Sequence, residues 1–318
     1  MKLVARAVTQ ARLLPYDSAA IAEAARLIAD GKPVAMPTET VYGLAADATR
    51  GDAVAAIYAS KGRPSFNPLI VHVLDRDAAE AIADLPDAAR KLTDAFWPGP
   101  LTIVAPLKKG APIAALATAG LPTVALRSPA HPAMRDLLRA SGKPLAAPSA
   151  NASGTISPTR AEHVLRSLGQ SIELIVDGGA TAVGLESTII AIDAGSLRIL
   201  RPGPITAEQL AEVSGLTVAG SGSGKIEAPG QLAQHYAPSK PVRLDATDKQ
   251  AGEWLIGFGP VAGDVTLSAR GDLTEAAARL FELLHSADET DSSRIAFAPI
   301  PNEGLGVAIN DRLRRAAA

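Results

Sequence analysis

The sequence predicts an α/β fold in two domains. Apolar runs rich in Val, Ile and Leu, such as residues 69–73 and 187–192, alternate with segments of helical periodicity, such as 17–31 and 206–213. This alternation is typical of a sheet covered by helices. A chain of 318 residues is also longer than one ordinary hydrophobic core requires.

The composition changes near residue 217, which divides the chain. Gly220-Ser221-Gly222-Ser223-Gly224 is typical of a flexible tether, and a second set of strand-like and helix-like segments begins at Val242. We therefore predict a first domain at 1–216, a linker at 217–240 and a smaller C-terminal α/β domain at 241–318.

The elements follow from periodicity and from capping signals. Asp17 or Ser18 suits the start of the first helix and Gly31 its end, while Thr159 with Glu162 and Thr206 with Gln209 have capping-box spacing. Predicted helices are 17–31, 52–60, 87–96, 132–141, 159–168, 206–213 and 274–284. Predicted strands are 34–36, 69–73, 101–105, 123–126, 174–176, 187–192, 197–200, 253–258 and 294–298.

Composition excludes several classes of function. There is no cysteine, which rules out disulfides, thiolate nucleophiles and cysteine zinc sites. The net charge of −2 argues against a dedicated nucleic-acid binder, so any RNA contact needs a local basic surface. No apolar run is long enough to span a membrane, and residues 1–6 are too polar for a signal peptide. We expect a cytoplasmic protein without membrane contact.

Polar segments at strand and helix ends are the candidate sites. Residues 37–44 directly follow a strand, where α/β sheets tend to bind ligands, although a simple polar turn is an equal alternative. Lys61 and Arg63 flank Gly62, and two cations beside a glycine suit phosphate oxygens. The alternative is a solvated basic turn at a helix end, and we expect both charges to be exposed.

Two further segments have the same character. Ser149 and Asn151 stand two apart on an extended segment, so their hydroxyl and amide groups suit phosphate, ribose or a magnesium-bound water. Beyond them Ser157 is expected to be an N-cap before Pro158, and for this segment taken alone a cluster of caps and turns is the preferred alternative. Arg127 and Arg201 end strands, and either guanidinium suits a carboxylate ligand; the alternative for Arg201 is a surface salt bridge.

Motifs of covalent catalysis and of common nucleotide loops are missing. There is no G-x-S-x-G, no Walker loop and no G-x-G-x-x-G opening a helix, and a lone His72 inside a strand is more often a core residue. From the residues alone, the sequence indicates an anion-binding α/β enzyme.

Taken together, these segments resemble the YrdC-type threonylcarbamoyl-AMP synthases in their long two-domain form. The resemblance implies a YrdC-like twisted open sheet and a Rossmann-like C-terminal domain. It implies that ATP, L-threonine and bicarbonate give L-threonylcarbamoyl-AMP and pyrophosphate, for the threonylcarbamoyladenosine modification of tRNA. Its segments, in the family's order, are Pro37–Leu44, Lys61–Arg63, Asn67–His72, Trp97–Thr102, Ala147–Asn151, Glu186–Thr188, Leu200–Pro204, Ala228–Gly230 and His235–Pro238.

The resemblance also implies roles for individual residues. The family's positions around the triphosphate and its metal correspond to Lys61, Arg63, Ser149 and Asn151, which are the expected catalytic residues. The family's other nucleotide-contacting positions correspond to Asn67, Thr123, Ser157, Arg201 and Tyr236. Its threonine-contacting positions correspond to Thr40, His72, Arg127, Ala147 and Ser187. Mg²⁺ is expected to arrive with ATP, without protein side chains as ligands. Glu39 and Glu186 receive no role.

The linker is predicted to act as a lid. The carbamate and the acyl-adenylate are both sensitive to water, so the site needs a cover, and residues 225–238 with Tyr236 are the best candidate. The alternative is a spacer between domains.

The expected partners include a downstream transferase complex that modifies tRNA, with at most a weak direct tRNA contact. Two other functions stay open: an RNA-binding module, and another carbamoyl or acyl transferase on the same fold.

Overall fold

The structure is a computed structural model that describes residues 10–193, 195–219, 227–229 and 235–318. The tether glycines predicted at 220–224 lie outside the described residues. Up to residue 219, the helices and strands are β1 (Arg12–Pro15), α1 (Ser18–Ala29), β2 (Val34–Met36), β3 (Gly43–Asp47), α2 (Gly51–Lys61), β4 (Ile70–His72), α3 (Arg76–Glu80), α4 (Asp87–Phe96), β5 (Leu101–Pro106), β6 (Thr123–Arg127), α5 (Pro132–Ser141), β7 (Leu145–Ala146), α6 (Ala161–Leu168), β8 (Leu174–Asp177), β9 (Thr188–Asp193), β10 (Ser196–Arg201), α7 (Ala207–Ser214) and β11 (Thr217–Ala219). The elements that follow are β12 (Val242–Arg243), β13 (Glu253–Gly257), β14 (Val265–Thr266), α8 (Leu273–Asp288), β15 (Arg294–Phe297) and α9 (Leu305–Ala316).

The first domain is built on one mixed sheet. Over the described residues it has eleven strands, in the order β1-β8-β2-β3-β7-β4-β6-β5-β9-β10-β11. Strands β4 and β6 run parallel with His72 opposite Arg127, and the neighbouring β7 leads directly into Ala147, whose N–H bonds to Ile70 O at 3.0 Å. The register therefore places His72 beside Arg127 at one end of β4 and Ala147 beside Ile70 at its other end, two residues away.

Alternation along the strands divides the sheet into two faces. On β4 and β6, Val71 and Leu126 enter the large core that includes α2, α4, α6 and α7. Their neighbours Ile70 and Ala125 point to the other face, into a small apolar cluster. The described residue that covers this cluster from the linker is Ala228. His72 and Arg127 share this second face because they stand two residues beyond Ile70 and Ala125.

The C-terminal domain is a parallel sheet that shares its core with the first domain. Its four strands lie in the order β12-β15-β13-β14, all paired in parallel, and α8 packs on α9. The core extends beyond this domain to Val41, Ile156, Leu185 and Tyr236. Apolar side chains from both domains and the linker therefore form one cluster beside the predicted site.

Gly184 is required where the two domains meet. Its φ is +74°, and a Cβ there would lie 2.5 Å from the carbonyl oxygens of Ala277 and Ala278 on α8. Only glycine permits both this backbone conformation and this approach.

The predicted fold class is confirmed. Within the described ranges the predicted helices and strands are present, with ends that differ by up to four residues. The capping box at Thr206 and Gln209 forms, but the one at Thr159 is wrong. Helix α6 begins only at Ala161, because the Thr159 N–H instead bonds to His163 Nδ1.

The domain boundaries stay predictions. The segment predicted as linker begins with β11, which pairs in parallel with β10 of the first sheet, and the second sheet begins at Val242. Among the helices that the structure describes, none is long and apolar enough to cross a membrane.

Candidate active site

The predicted site residues surround a small cavity on the sheet face that the linker covers. The cavity measures about 40 Å³, far below the several hundred Å³ of typical ligand pockets. Its walls are Thr40, Val41, Arg63, Ile70, His72, Arg127, Ala147, Pro148, Ser149, Glu186, Arg201, Pro229, His235 and Tyr236. Three linker residues, Pro229, His235 and Tyr236, thus form part of the wall of the cavity.

Lys61 and Arg63 are buried, which corrects the expectation of exposed loop charges. Helix α2 ends at Lys61, and Gly62 at φ +60° turns the chain so that Arg63 folds back. Lys61 Nζ donates to Ser149 O at 2.6 Å and also to Asn151 O. Arg63 donates to the carbonyls of Asn67 at 3.3 Å and Pro68 at 3.1 Å. Both cations are thus fixed by backbone oxygens of the segments that carry the other predicted residues.

Arg201 is also buried, so the surface salt bridge is wrong. Its guanidinium donates twice to Ser187 O, at 2.9 and 3.1 Å, and once to Ser187 Oγ at 3.0 Å. Ser187 Oγ in turn bonds to Thr102 Oγ1 at 2.7 Å. Gly203 permits this arrangement, because a Cβ there would lie 2.4 Å from Thr188 N.

These cations lack carboxylate partners. Across the described residues, Lys61, Arg63 and Arg201 make no ion pair and no hydrogen bond to a carboxylate. Burial lowers the pKa of Lys61 well below its usual value, lowers that of Arg63 to about 10, and lowers that of Arg201. Desolvated positive charges without a carboxylate in ion-pair or hydrogen-bond contact suit an anionic ligand.

Arg127 differs because it already has a carboxylate partner. Its Nη2 donates to Glu39 Oε1 at 2.7 Å, and Glu39 Oε2 accepts the Ala130 N–H at 3.0 Å. Burial alone would raise the pKa of Glu39, but Arg127 and these hydrogen bonds outweigh burial and lower it. Arg127 Nε donates to Gly99 O at 3.3 Å, so neither bond uses Nη1. Glu39, to which the sequence assigned no role, holds Arg127 in place.

His72 stands beside Arg127 as a neutral imidazole. Burial, assisted by the charge of Arg127, lowers the pKa of His72 to about 3. Its Nδ1 is buried without a hydrogen-bond partner. Because a neutral histidine can either donate or accept at that nitrogen, it suits a polar ligand group.

Ser157 is not an N-cap, which corrects the prediction from sequence. Its hydroxyl donates to the carboxylate of Glu186, and the other oxygen of Glu186 accepts Arg312 Nε at 2.8 Å. Arg312 lies on α9 of the C-terminal domain. Sequence reasoning missed Arg312, because it lies close to Arg314 and Arg315 in a segment without a motif. Only the tertiary fold places Arg312 next to the cavity.

The linker closes the site through His235 and Tyr236. The Tyr236 ring packs against Phe281 at 5.5 Å and lies 5.2 Å from the guanidinium carbon of Arg312. The Ala237 N–H bonds to Gly154 O at 2.9 Å, which fixes the linker next to the Ser149–Asn151 segment. Of the proposed lid, residues 225, 226 and 230–234 lie outside the described residues.

Buried polar atoms without partners concentrate at this site. Lone polar atoms in a protein interior are costly, so a cluster of them marks a place where a ligand supplies the missing bonds. In the described part of the chain, those at the site are Asn67 Oδ1, His72 Nδ1, Asn151 Oδ1, His235 Nδ1, Tyr236 Oη and Arg312 Nη2, and those elsewhere are Thr181 Oγ1 and Trp254 Nε1.

Most of the predicted residues meet here, and one does not. The residues that line the cavity are Thr40, Arg63, His72, Arg127, Ala147, Ser149, Arg201 and Tyr236. Those that hydrogen-bond to its walls are Lys61, Asn67, Ser157 and Ser187, and the backbone oxygen of Asn151 accepts a hydrogen bond from Lys61. Thr123 begins β6, at the far end of that strand from Arg127, and does not line the cavity.

Comparison with known proteins identifies the family. Residues 26–203 match the Sua5/YciO/YrdC family model, described as telomere recombination, and residues 205–318 match the threonylcarbamoyl-AMP synthase C-terminal domain. The threonylcarbamoyl-AMP synthase of Bacillus subtilis is 42% identical over 93% of this chain and 92% of its own length. The chain belongs to the threonylcarbamoyl-AMP synthase family. It has the two-domain architecture that the resemblance implied.

Solved structures of this family show the same architecture. The crystal structure of Pyrococcus abyssi Sua5 complexed with L-threonine has a TM-score of 0.88 and 37% identity, and covers 97% of this chain and 98% of its own. A variant of the same protein, with an adjacent histidine and tyrosine changed to alanine, also has a TM-score of 0.88, with 35% identity and 96% coverage of both chains.

Proposed function

We propose that this threonylcarbamoyl-AMP synthase uses ATP, L-threonine and bicarbonate to make L-threonylcarbamoyl-AMP and pyrophosphate. The observation that carries the proposal is the group of buried cations, Lys61, Arg63 and Arg201, which have no carboxylate partner among the described residues. Such a group suits the triphosphate of ATP. Arg127 lines the same cavity beside His72 and suits an amino-acid carboxylate.

The reaction needs positioning and charge neutralisation rather than a protein nucleophile. The amine of threonine and bicarbonate give a carbamate with loss of water, and a carbamate oxygen then attacks the α-phosphorus while pyrophosphate leaves. The cations stabilise charge on the phosphate oxygens, and Arg127 orients threonine so that its amine faces the nucleotide. Closure of the linker over the cavity excludes water from the carbamate and the adenylate.

Mg²⁺ is proposed to bind with ATP rather than at a protein site of its own. In the described ranges no group of three or more histidines, aspartates or glutamates is placed to hold a metal ion. The unpartnered Asn151 Oδ1 and the Ser149 hydroxyl are oxygens of the kind that contact magnesium or its waters. When bound, magnesium offsets the negative charge of the phosphates.

The product is proposed to supply a downstream transferase complex that modifies tRNA. A direct tRNA contact and a cytoplasmic location also stay proposals. The net charge of −2 argues against strong tRNA binding.

Selectivity among amino acids tests the proposed substrate. A site that hydrogen-bonds the threonine hydroxyl leaves polar groups unpaired with valine, so kcat/KM for valine should fall about 10⁴-fold. Serine keeps the hydroxyl and loses one methyl group, which should lower kcat/KM about 10–200-fold. Pyrophosphate release is measured for each amino acid with ATP, magnesium and bicarbonate. Equal release with threonine and valine contradicts the assignment and favours another carbamoyl or acyl transfer.

A further inference from the structure

A charged residue of the C-terminal domain lies inside the candidate active site. Arg312 is 1% exposed, and α9 places it against Glu186 of the first domain. Its Nη1 bonds to Asp311 at 2.7 Å, and its Nη2 is buried without a partner. It also lies over the ring of Tyr236 in the linker. Arg312 therefore contacts the first domain, the linker and its own helix at one point.

The partner of Arg312, Glu186, is a carboxylate in the wall of the candidate active site. It lines the cavity, it accepts a hydrogen bond from the hydroxyl of Ser157, and its negative charge acts on the guanidinium of Arg201. A free carboxylate here would repel the phosphates of ATP and would attract Arg201. Burial alone would raise the pKa of Glu186, but Arg312, followed by Arg201, outweighs burial and lowers it.

The observed contacts show which of the two arginines, Arg312 or Arg201, pairs with Glu186. Arg312 binds Glu186 at 2.8 Å, whereas Arg201 binds only Ser187 among the described residues, through backbone and hydroxyl oxygens. The pair with Arg312 thus satisfies Glu186 and leaves Arg201 without a carboxylate. Because Arg312 belongs to the C-terminal domain, this division of charge depends on domain docking.

We propose that Arg312 is a positioning residue for the nucleotide: it neutralises Glu186 and so keeps Arg201 available to a phosphate group. This inference rests on the proposed function. It assigns the C-terminal domain an indirect part in ATP binding, through one guanidinium that acts on Glu186, and no part in threonine binding. It also predicts that the positive charge of Arg312 is dispensable once Glu186 is neutral.

The test compares Arg312→Met with the double variant Arg312→Met/Glu186→Gln. In the single variant Glu186 is left unpaired, so KM for ATP should rise about tenfold to a hundredfold, with KM for threonine unchanged. In the double variant no charge is left unpaired, and KM for ATP should return to within about threefold of the unmodified value. Arg314→Met, an exposed change two residues along the same helix, is the matched control.

Each outcome decides the inference. A normal KM for ATP in Arg312→Met overturns it, and so does a double variant that keeps the defect or does not fold, because either result gives Arg312 a role other than neutralising Glu186. If Arg312→Met does not fold, the double variant alone provides the test. Product formation by the unmodified enzyme is measured first, and its absence refutes the proposed function itself rather than the role of Arg312.

Discussion

Replacing Lys61 with methionine is expected to reduce the rate of threonylcarbamoyl-AMP formation by about 10²–10³-fold. Methionine keeps most of the side-chain volume and removes the charge. Lys61 Nζ bonds to Ser149 O and Asn151 O, so it both presents charge to an anion and fixes the segment that carries Ser149. Product formation at saturating threonine and ATP is measured by mass spectrometry.

The same change should also lower the stability of the fold. Two buried carbonyl oxygens lose their donor, which costs about 1–3 kcal/mol in the free energy of unfolding. Lys91→Met, at an exposed position of α4, is the matched control and should alter neither quantity. Activity within tenfold of the unmodified enzyme would remove Lys61 from the catalytic group.

Replacing Arg127 with methionine is expected to lower kcat/KM for threonine by about a hundredfold or more, while KM for ATP changes little. In the proposed mechanism the guanidinium receives the carboxylate of threonine, and Glu39 holds it through Nη2 at 2.7 Å. Steady-state rates at varied threonine and fixed ATP measure the effect.

A double variant separates substrate binding from structure. Arg127→Met alone leaves Glu39 buried and unpaired, whereas Arg127→Met/Glu39→Gln leaves no charge behind. The double variant should regain stability in thermal unfolding but not the use of threonine. Recovery of activity with stability would mean that Arg127 serves the fold and not the substrate. The expected loss of threonine use in this double variant is the opposite of the recovery expected when Glu186→Gln is combined with Arg312→Met.

Local patterns predicted the fold well, because short-range rules decide most of it. Asp17 caps α1 with a bond to Ala20 N at 2.8 Å, and the box at Thr206 and Gln209 forms as its spacing indicates. Strands such as β3 and β7 were missed because Gly43–Asp47 and Leu145–Ala146 are alanine-rich and have no alternation. Helix α9 was missed for lack of a capping signal, since Gly304 begins it.

Local patterns could not predict burial and charge pairing at the site. Lys61 and Arg201 look exposed in sequence because basic residues usually are, and their burial depends on distant segments that pack over them. Glu39 with Arg127 and Glu186 with Arg312 are separated by 88 and 126 residues, so no spacing indicates either pair. The resemblance supplied the residues around the cavity, but it did not indicate that the C-terminal domain contributes Arg312.

Formation of threonylcarbamoyl-AMP itself tests the account most directly. The protein is incubated with ATP, magnesium, threonine and ¹³C-labelled bicarbonate, and the products are analysed by mass spectrometry beside a reaction with unlabelled bicarbonate. The account predicts an adduct of threonine and AMP that contains the labelled carbon, with pyrophosphate in equal amount. Pyrophosphate release without a labelled adduct, or no consumption of ATP in the presence of threonine, would contradict it.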